Sequence, residues 1–273
     1  MNRITALTAA LLAATSFILP SAHAAAPWIG SADYRLGLGA AGDEEVVGPF
    51  STYDFGTGVV LLEQQGTVGS TTSFNGYYQA FVTRHELFGA PVAAPLLDNT
   101  YELTVGASFS QTVTTTGSTA TISVNPGGTF KLYRDTTKDR EYASASDTGF
   151  TDGDVIITGT ILGGTGAAVA AGGMVFGVTD INIQITSYDA AIYDPDTITG
   201  GDGIFTLRLG APSDQPFLSS VDFVQGHSAN DLNDFKFAAD GNIALAVPEI
   251  DTYAMMLAGL GLIGFVVSRR RHT

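Results

Sequence analysis

From Ala25 to Ala246 the chain contains no run in which apolar residues recur at helical spacing; short β-branched and aromatic segments alternate with clusters of Gly, Asn, Asp, Pro and Ser. Period-two alternation of this kind is what a strand with one buried face requires. It places strands at 59–63, 74–83, 101–113, 119–124, 130–133, 155–162, 181–187, 204–209, and 235–238 with 243–247. Parallel α/β folds need crossover helices, and only 86–97 has room for a helical turn. The fold expected is therefore all-β, an antiparallel β-sandwich of jelly-roll kind.

Turn chemistry refines this expectation. Asn125-Pro126-Gly127-Gly128 and Asp240-Gly241-Asn242 read as hairpin connections, the second through its Asp-Gly dipeptide. The Gly/Ala run at 163–173 reads as a flexible loop. Residues 111–121, rich in Thr and Ser with no charge and no proline, read as an ordinary edge or surface strand, the alternative being a strand that pairs with another molecule.

The chain has 12 basic and 27 acidic residues, a formal net charge of -15. Four of the basic residues, Arg3, Arg269, Arg270 and Arg271, lie at the ends, so 25–247 keeps 8 against 25 acidic residues, a balance of -17. A body of that charge with no basic cluster does not bind nucleic acid. There is no cysteine, which excludes disulfides, thiolate metal sites and thiol nucleophiles.

Both ends read as addresses. Met1-Asn2-Arg3, an apolar run at 4–19 and Ala22-His23-Ala24 form a secretory signal peptide (1–24) for the Sec machinery, cleaved between Ala24 and Ala25. The body is then a single domain, 25–246. The segment 247–273 has three parts: Val247-Pro248-Glu249, an apolar stretch at 254–267, and Arg269-Arg270-Arg271. Pro248 has no amide donor and stops a strand. The apolar stretch is about 20 Å long as a helix, and with flanking residues it becomes a transmembrane helix over 252–268. The arginines stay on the cytoplasmic side, which leaves the body across the membrane.

This order of motif, Tyr-led apolar helix with Gly259, Gly261 and Gly264, and Arg cluster resembles the PEP-CTERM sorting signal, although Ile250 stands where that family has a second proline. The resemblance implies an exosortase that recognises the motif and removes the helix, in a Gram-negative bacterium that makes extracellular polysaccharide. The chain would be anchored transiently and then released or moved to the cell surface. Phe130-Lys131-Leu132-Tyr133-Arg134-Asp135, Thr148-Gly149-Phe150-Thr151-Asp152-Gly153-Asp154 and Ile156-Ile157-Thr158-Gly159 are similar to a pattern in flocculation-associated PEP-CTERM proteins. That similarity implies a role in floc or biofilm.

Catalytic patterns are missing from the sequence. His85 and His227 form no spaced ligand set and read as surface or partly packed residues, and no serine sits in a G-x-S-x-G elbow. Glu63, Glu86 and Glu102, the carboxylates nearest to strands, read as solvent-facing. The aspartates Asp152, Asp154, Asp194, Asp196, Asp202, Asp231 and Asp234 read as turn formers that bond their own backbone, so no cofactor is expected; calcium is the ion they match best as the alternative. The leading expectation is a non-enzymatic surface or matrix protein with extracellular polysaccharide as its partner. The alternatives are a carbohydrate-binding module, with Trp28 and tyrosines stacking on sugar rings, and a polysaccharide hydrolase or lyase built on two carboxylates.

Overall fold

The structure, a computed structural model, describes residues 26–35, 45–142, 149–171, 174–198, 202–209, 215–228 and 233–247. The signal peptide, the sorting segment beyond Val247 and the proposed cleavage pair Ala24 and Ala25 lie outside them. No helix among the described residues is long and apolar enough to cross a membrane.

The chain opens with β1 (Gly30–Asp33), β2 (Val46–Phe50), β3 (Thr52–Phe55) and β4 (Gly58–Val68). Next come β5 (Thr71–Leu87), β6 (Ala90–Val92), β7 (Glu102–Thr116), β8 (Thr119–Val124) and β9 (Thr129–Asp135). The second half holds β10 (Asp154–Ala171), β11 (Met174–Tyr188), β12 (Tyr193–Asp194), β13 (Asp202–Leu209), a short helix α1 (Gln215–Ser220) and β14 (Phe235–Leu245). All strands pair antiparallel, so the all-β antiparallel expectation holds.

The jelly roll does not. A jelly roll is built on Greek-key crossings, whereas here each long strand pairs with its neighbour along the chain. β3 and β4 lie end to end between β14 and β5, and β8 and β9 lie end to end between β7 and β10. With β5–β7, β10–β11, β11–β13, β13–β14 and β14–β4 paired as well, eight strand lines close into a ring. The molecule is an up-and-down antiparallel barrel. Two-residue turns drive this topology: Gly69-Ser70 joins β4 to β5 and Gly117-Ser118 joins β7 to β8, each glycine at positive φ (62° and 63°). Such tight turns leave no slack for a crossing connection.

Neither expected hairpin is one. Asp240-Gly241-Asn242 lies inside the continuous strand β14, where Gly241 makes room: a Cβ there would sit 3.0 Å from the Tyr78 hydroxyl. Asn125–Gly128 interrupts the β8–β9 line and is pinned on both flanks, by Asn125 N to Ser110 O (2.8 Å) and Gly127 N to Ile161 O (2.8 Å). Nor is 163–171 a loop. It is the outer half of β10, paired to both β8 and β11. A Cβ at Gly164 or Gly166 would lie 2.3 Å from Asp180 O or 2.5 Å from Val178 O, so glycine permits the tight curl of β10 against β11 that closes the ring. Residues 111–114 and 119–121 pair on both sides, so this stretch is the ordinary surface strand expected and not a free edge for another molecule.

Inward rows fill the barrel. Phe205 of β13 reaches Phe55, Tyr78 and Phe130 at 5.2–6.0 Å between ring centres, joining opposite walls. Outward rows carry hydroxyls and charge, with Thr71 to Thr114 (2.9 Å), Ser108 to Thr129 (2.9 Å) and Thr206 to Asp180 (2.8 Å) bonded across strands. A membrane barrel needs the reverse, an apolar outward band. Between β13 and β14, residues 215–228 strap the outside: Leu218, Val221 and Val224 cover Val59, Leu61 and Ala238, and the Gln225 amide donates to Tyr78 O and Ala107 O.

Candidate functional site: an open barrel mouth opposite a sealed end

The two ends of the barrel are built differently. At the end where β3 begins and β14 finishes, β12, β1 and β2 form a separate small sheet across the opening. It contributes Trp28, Tyr34, Phe50 and Tyr193, which pack with Tyr53, His85 and Tyr101, all buried. The Trp28 ring meets Phe50 and Tyr193 edge-on, and its indole N–H donates to Pro195 O at 3.1 Å. A polar thread runs through the plug. Tyr34 Oη lies 2.8 Å from Tyr53 Oη and 2.8 Å from His85 Nε2, and Tyr53 Oη lies 2.8 Å from Tyr193 Oη.

Burial decides the ionisation of these groups. It pushes the His85 imidazole down to about 3 and the Tyr34, Tyr53 and Tyr193 phenols well above their ordinary value, so all stay neutral in the fold. His85 is therefore not the surface or partly packed residue its sequence context indicates. His227 is partly packed as expected, stacked on Tyr77 at 3.6 Å with Nδ1 3.1 Å from Glu63.

The other end is open. Between the β4–β5 and β7–β8 turns and the far ends of β10, β11 and β14 lies a cavity of about 520 Å³. Leu62, Phe74, Val113, Ile122, Phe235 and Phe237 give it apolar walls. On the β10 side it is lined by the small residues Ala168 and Ala170, with Ala168 opposite Ala120 of β8. Gln111, 4% exposed, stands at the floor, and beneath it a narrow hollow is lined by Phe109, Thr179 and Leu207. Among the described residues Lys236 is the one ionisable residue at the cavity, and its ammonium donates to Val221 O.

None of the sequence-derived carboxylates reaches this cavity. Glu86 accepts from Arg84 Nε at 2.8 Å, Glu63 faces His227, and Glu102 sits on the outer side of β7. Glu102 is the clearest departure from expectation. It is fully buried rather than solvent-facing; Arg140 donates to both its oxygens, binds Asp98 at 2.8 Å and lies over the Phe81 ring at 4.0 Å. Burial raises its pKa against the lowering pull of Arg140.

Among the described residues one set of three acidic side chains converges, Glu102, Asp135 and Asp139, and Arg140 is already paired with Glu102 there. Of the aspartates proposed for calcium, Asp154 pairs with Arg134 at 3.2 Å and Asp234 accepts from Gln64 N at 2.9 Å. Asp194 and Asp196 line a shallow acidic hollow with Asp33 without converging. The Asp202 side chain and Asp231 lie outside the described residues. Trp28 and Tyr34, Tyr53, Tyr78, Tyr101 and Tyr193 are buried, which withdraws them from sugar stacking.

No protein-family model, curated protein or solved structure matches this chain. The segment that resembles the flocculation-associated pattern has a structural role here. β9 pairs with the start of β10, and Arg134 links Asp154 to Tyr34 O (3.1 Å), tying the barrel wall to the plug.

Proposed function

We propose that the chain is an exported, non-enzymatic protein of the cell surface or extracellular matrix, delivered by its signal peptide and released from a transient membrane anchor by an exosortase acting at Val247-Pro248-Glu249. One observation carries this reading. Val247 N donates to Ala26 O at 3.0 Å and Trp28 N to Leu245 O at 2.9 Å, so residues 26 and 247 lie side by side at the sealed end. Cleavage next to Ala25 and after Val247 therefore cuts no barrel strand.

Among the described residues the mouth carries no paired carboxylates, which favours the non-enzymatic part of the reading, since glycoside hydrolysis needs two. The acidic outer surface suits attachment to anionic polysaccharide through divalent cations, the setting of floc and biofilm. The test is the intact mass of the protein recovered from surface and medium with and without the exosortase. A form running from about Ala25 to the 247–251 region only in the presence of the enzyme supports the reading. Retention of Thr273 in both strains overturns it.

A further inference from the structure

We propose that the barrel mouth binds one neutral lipophile, a hydrocarbon-bodied molecule bearing a single uncharged hydroxyl or carbonyl group. Three observations converge on that chemistry. A cavity of about 520 Å³ falls inside the range of small-molecule sites, roughly 300–1,000 Å³, and an eight-stranded barrel is the size that encloses one small ligand. The walls are aliphatic and aromatic, from Leu62, Phe74, Val113, Ile122, Phe235 and Phe237, and an apolar ligand body displaces water from them favourably.

The second observation is Gln111. Its side chain is almost wholly buried at the floor, and a carboxamide both donates and accepts, so it matches a hydroxyl or a carbonyl equally. Charge is the third. Among the described residues no acidic or histidine side chain lines the cavity, and the Lys236 ammonium is held away from the apolar walls, on Val221 O of the outer strap, so a ligand charge among those walls meets no counter-ion. Burying an unpaired charge is prohibitive, and a body of balance -17 repels anions before they arrive.

The inference is tested on the full chain with a diazirine-bearing long-chain alcohol, the labelled peptides being mapped by mass spectrometry. Labelling should saturate at one per chain on β7, β8, β10 and β14, and dodecanol should compete while dodecanoate at the same concentration does not. Ala168→Trp, which fills the cavity from β10, should lower wall labelling by about tenfold, a loss of about 1.4 kcal/mol in binding, and leave labelling of the 254–267 segment unchanged. Labelling confined to 254–267, equal competition by dodecanoate, or full wall labelling in a folded Ala168→Trp overturns the proposal. Absence of wall labelling because the tail or a second copy fills the mouth also overturns it. If Ala168→Trp does not fold, Gln111→Leu decides: dodecanol should lose its advantage over dodecane as competitor, and an unchanged advantage rejects the polar anchor.

Discussion

The sealed end and the open mouth of this barrel are made by the same strands, and they differ in what those strands point inward. At the sealed end β3 and β5 present Tyr53, Phe55, Val82 and His85, and a second small sheet adds Trp28, Tyr34, Phe50 and Tyr193 until no space is left. At the mouth β10 presents Ala168 and Ala170, and the walls stand apart. A ring of eight strands fixes a circumference, and side-chain volume then decides whether a given level is filled or hollow. Stability should therefore be concentrated at one end and binding capacity at the other.

The widest contrast comes from truncating one residue at each end. Trp28→Ala empties a site with no exposed surface and should cost about 3–5 kcal/mol, whereas Val113→Ala, half-buried beside the cavity, should cost about 1 kcal/mol. Denaturant midpoints of the two variants measure this directly. Equal losses would mean that the mouth is packed in solution and that the division into two ends is wrong.

Acid should also strike at the sealed end. His85 is held neutral down to about pH 3 in the fold but takes up a proton near its ordinary value of 6.5 when unfolded. Above pH 6.5 neither state is charged and the group has no effect. Between 6.5 and about 3 the unfolded chain binds the extra proton, so stability falls by up to about 1.4 kcal/mol for each unit the pH drops. Glu102 works in the opposite sense, because its raised pKa lets the folded state take up a proton first and offsets part of the loss. Comparing wild type with His85→Phe from pH 7 to 4 separates the two. The substitution should flatten the acid slope, and parallel curves would show that His85 is reached by protons in the fold.

A smaller effect is expected where the two regions meet. Tyr78 is fully buried, its hydroxyl has no hydrogen-bond partner among the described residues, and it stands against Gly241. Removing an unsatisfied buried hydroxyl relieves a desolvation cost, so Tyr78→Phe should stabilise by about 1 kcal/mol. A loss of stability would show that the hydroxyl is bonded, by a water for example, and that the cavity reaches deeper than its floor at Gln111.

Gly241 also illustrates what was legible in the sequence. Period-two alternation located the inward rows well, because a buried face imposes its pattern locally: β4, β5, β7, β8 and β13 each contain a segment predicted from it. Turn residues misled. Asp240-Gly241-Asn242 has the composition of a hairpin, but Gly241 is in β14 to clear Tyr78, a partner far away in sequence. The Gly/Ala run at 163–171 has the composition of a loop, but its glycines let β10 curl against Asp180 and Val178 of β11. Ring closure and cavity are properties of how strands meet, and no single segment encodes them. Gly or Ala at every second place from Gly164 to Ala170 was the available signal for the curl of β10 and the cavity beside it, and it acquires meaning only once the strand is known to face inward. Burial of His85 and Glu102 was hidden for the same reason, since each is covered by chain from elsewhere: β1 and β2 over His85, and the segment carrying Arg140 over Glu102.

The smallest effect separates occupied acidic groups from vacant ones. Glu102, Asp135 and Asp139 have the donor set that calcium favours, yet the Arg140 guanidinium is bonded to Glu102 and Asp98, and Arg140 N adds a second bond to Glu102. A cation entering there has to displace a partly buried, paired arginine and leave it without its counter-ion, which is unfavourable. The isolated barrel should thus melt within about 1 °C in excess calcium and in chelator, by circular dichroism. A clear rise with calcium would place the ion elsewhere, at the acidic hollow of Asp33, Asp194 and Asp196 on the plug, and Asp194→Asn would then abolish the rise. In that case the sealed end, too, would be a binding end, and the contrast between the two ends would lie in the chemistry of the ligand: ionic at the plug, lipophilic at the mouth.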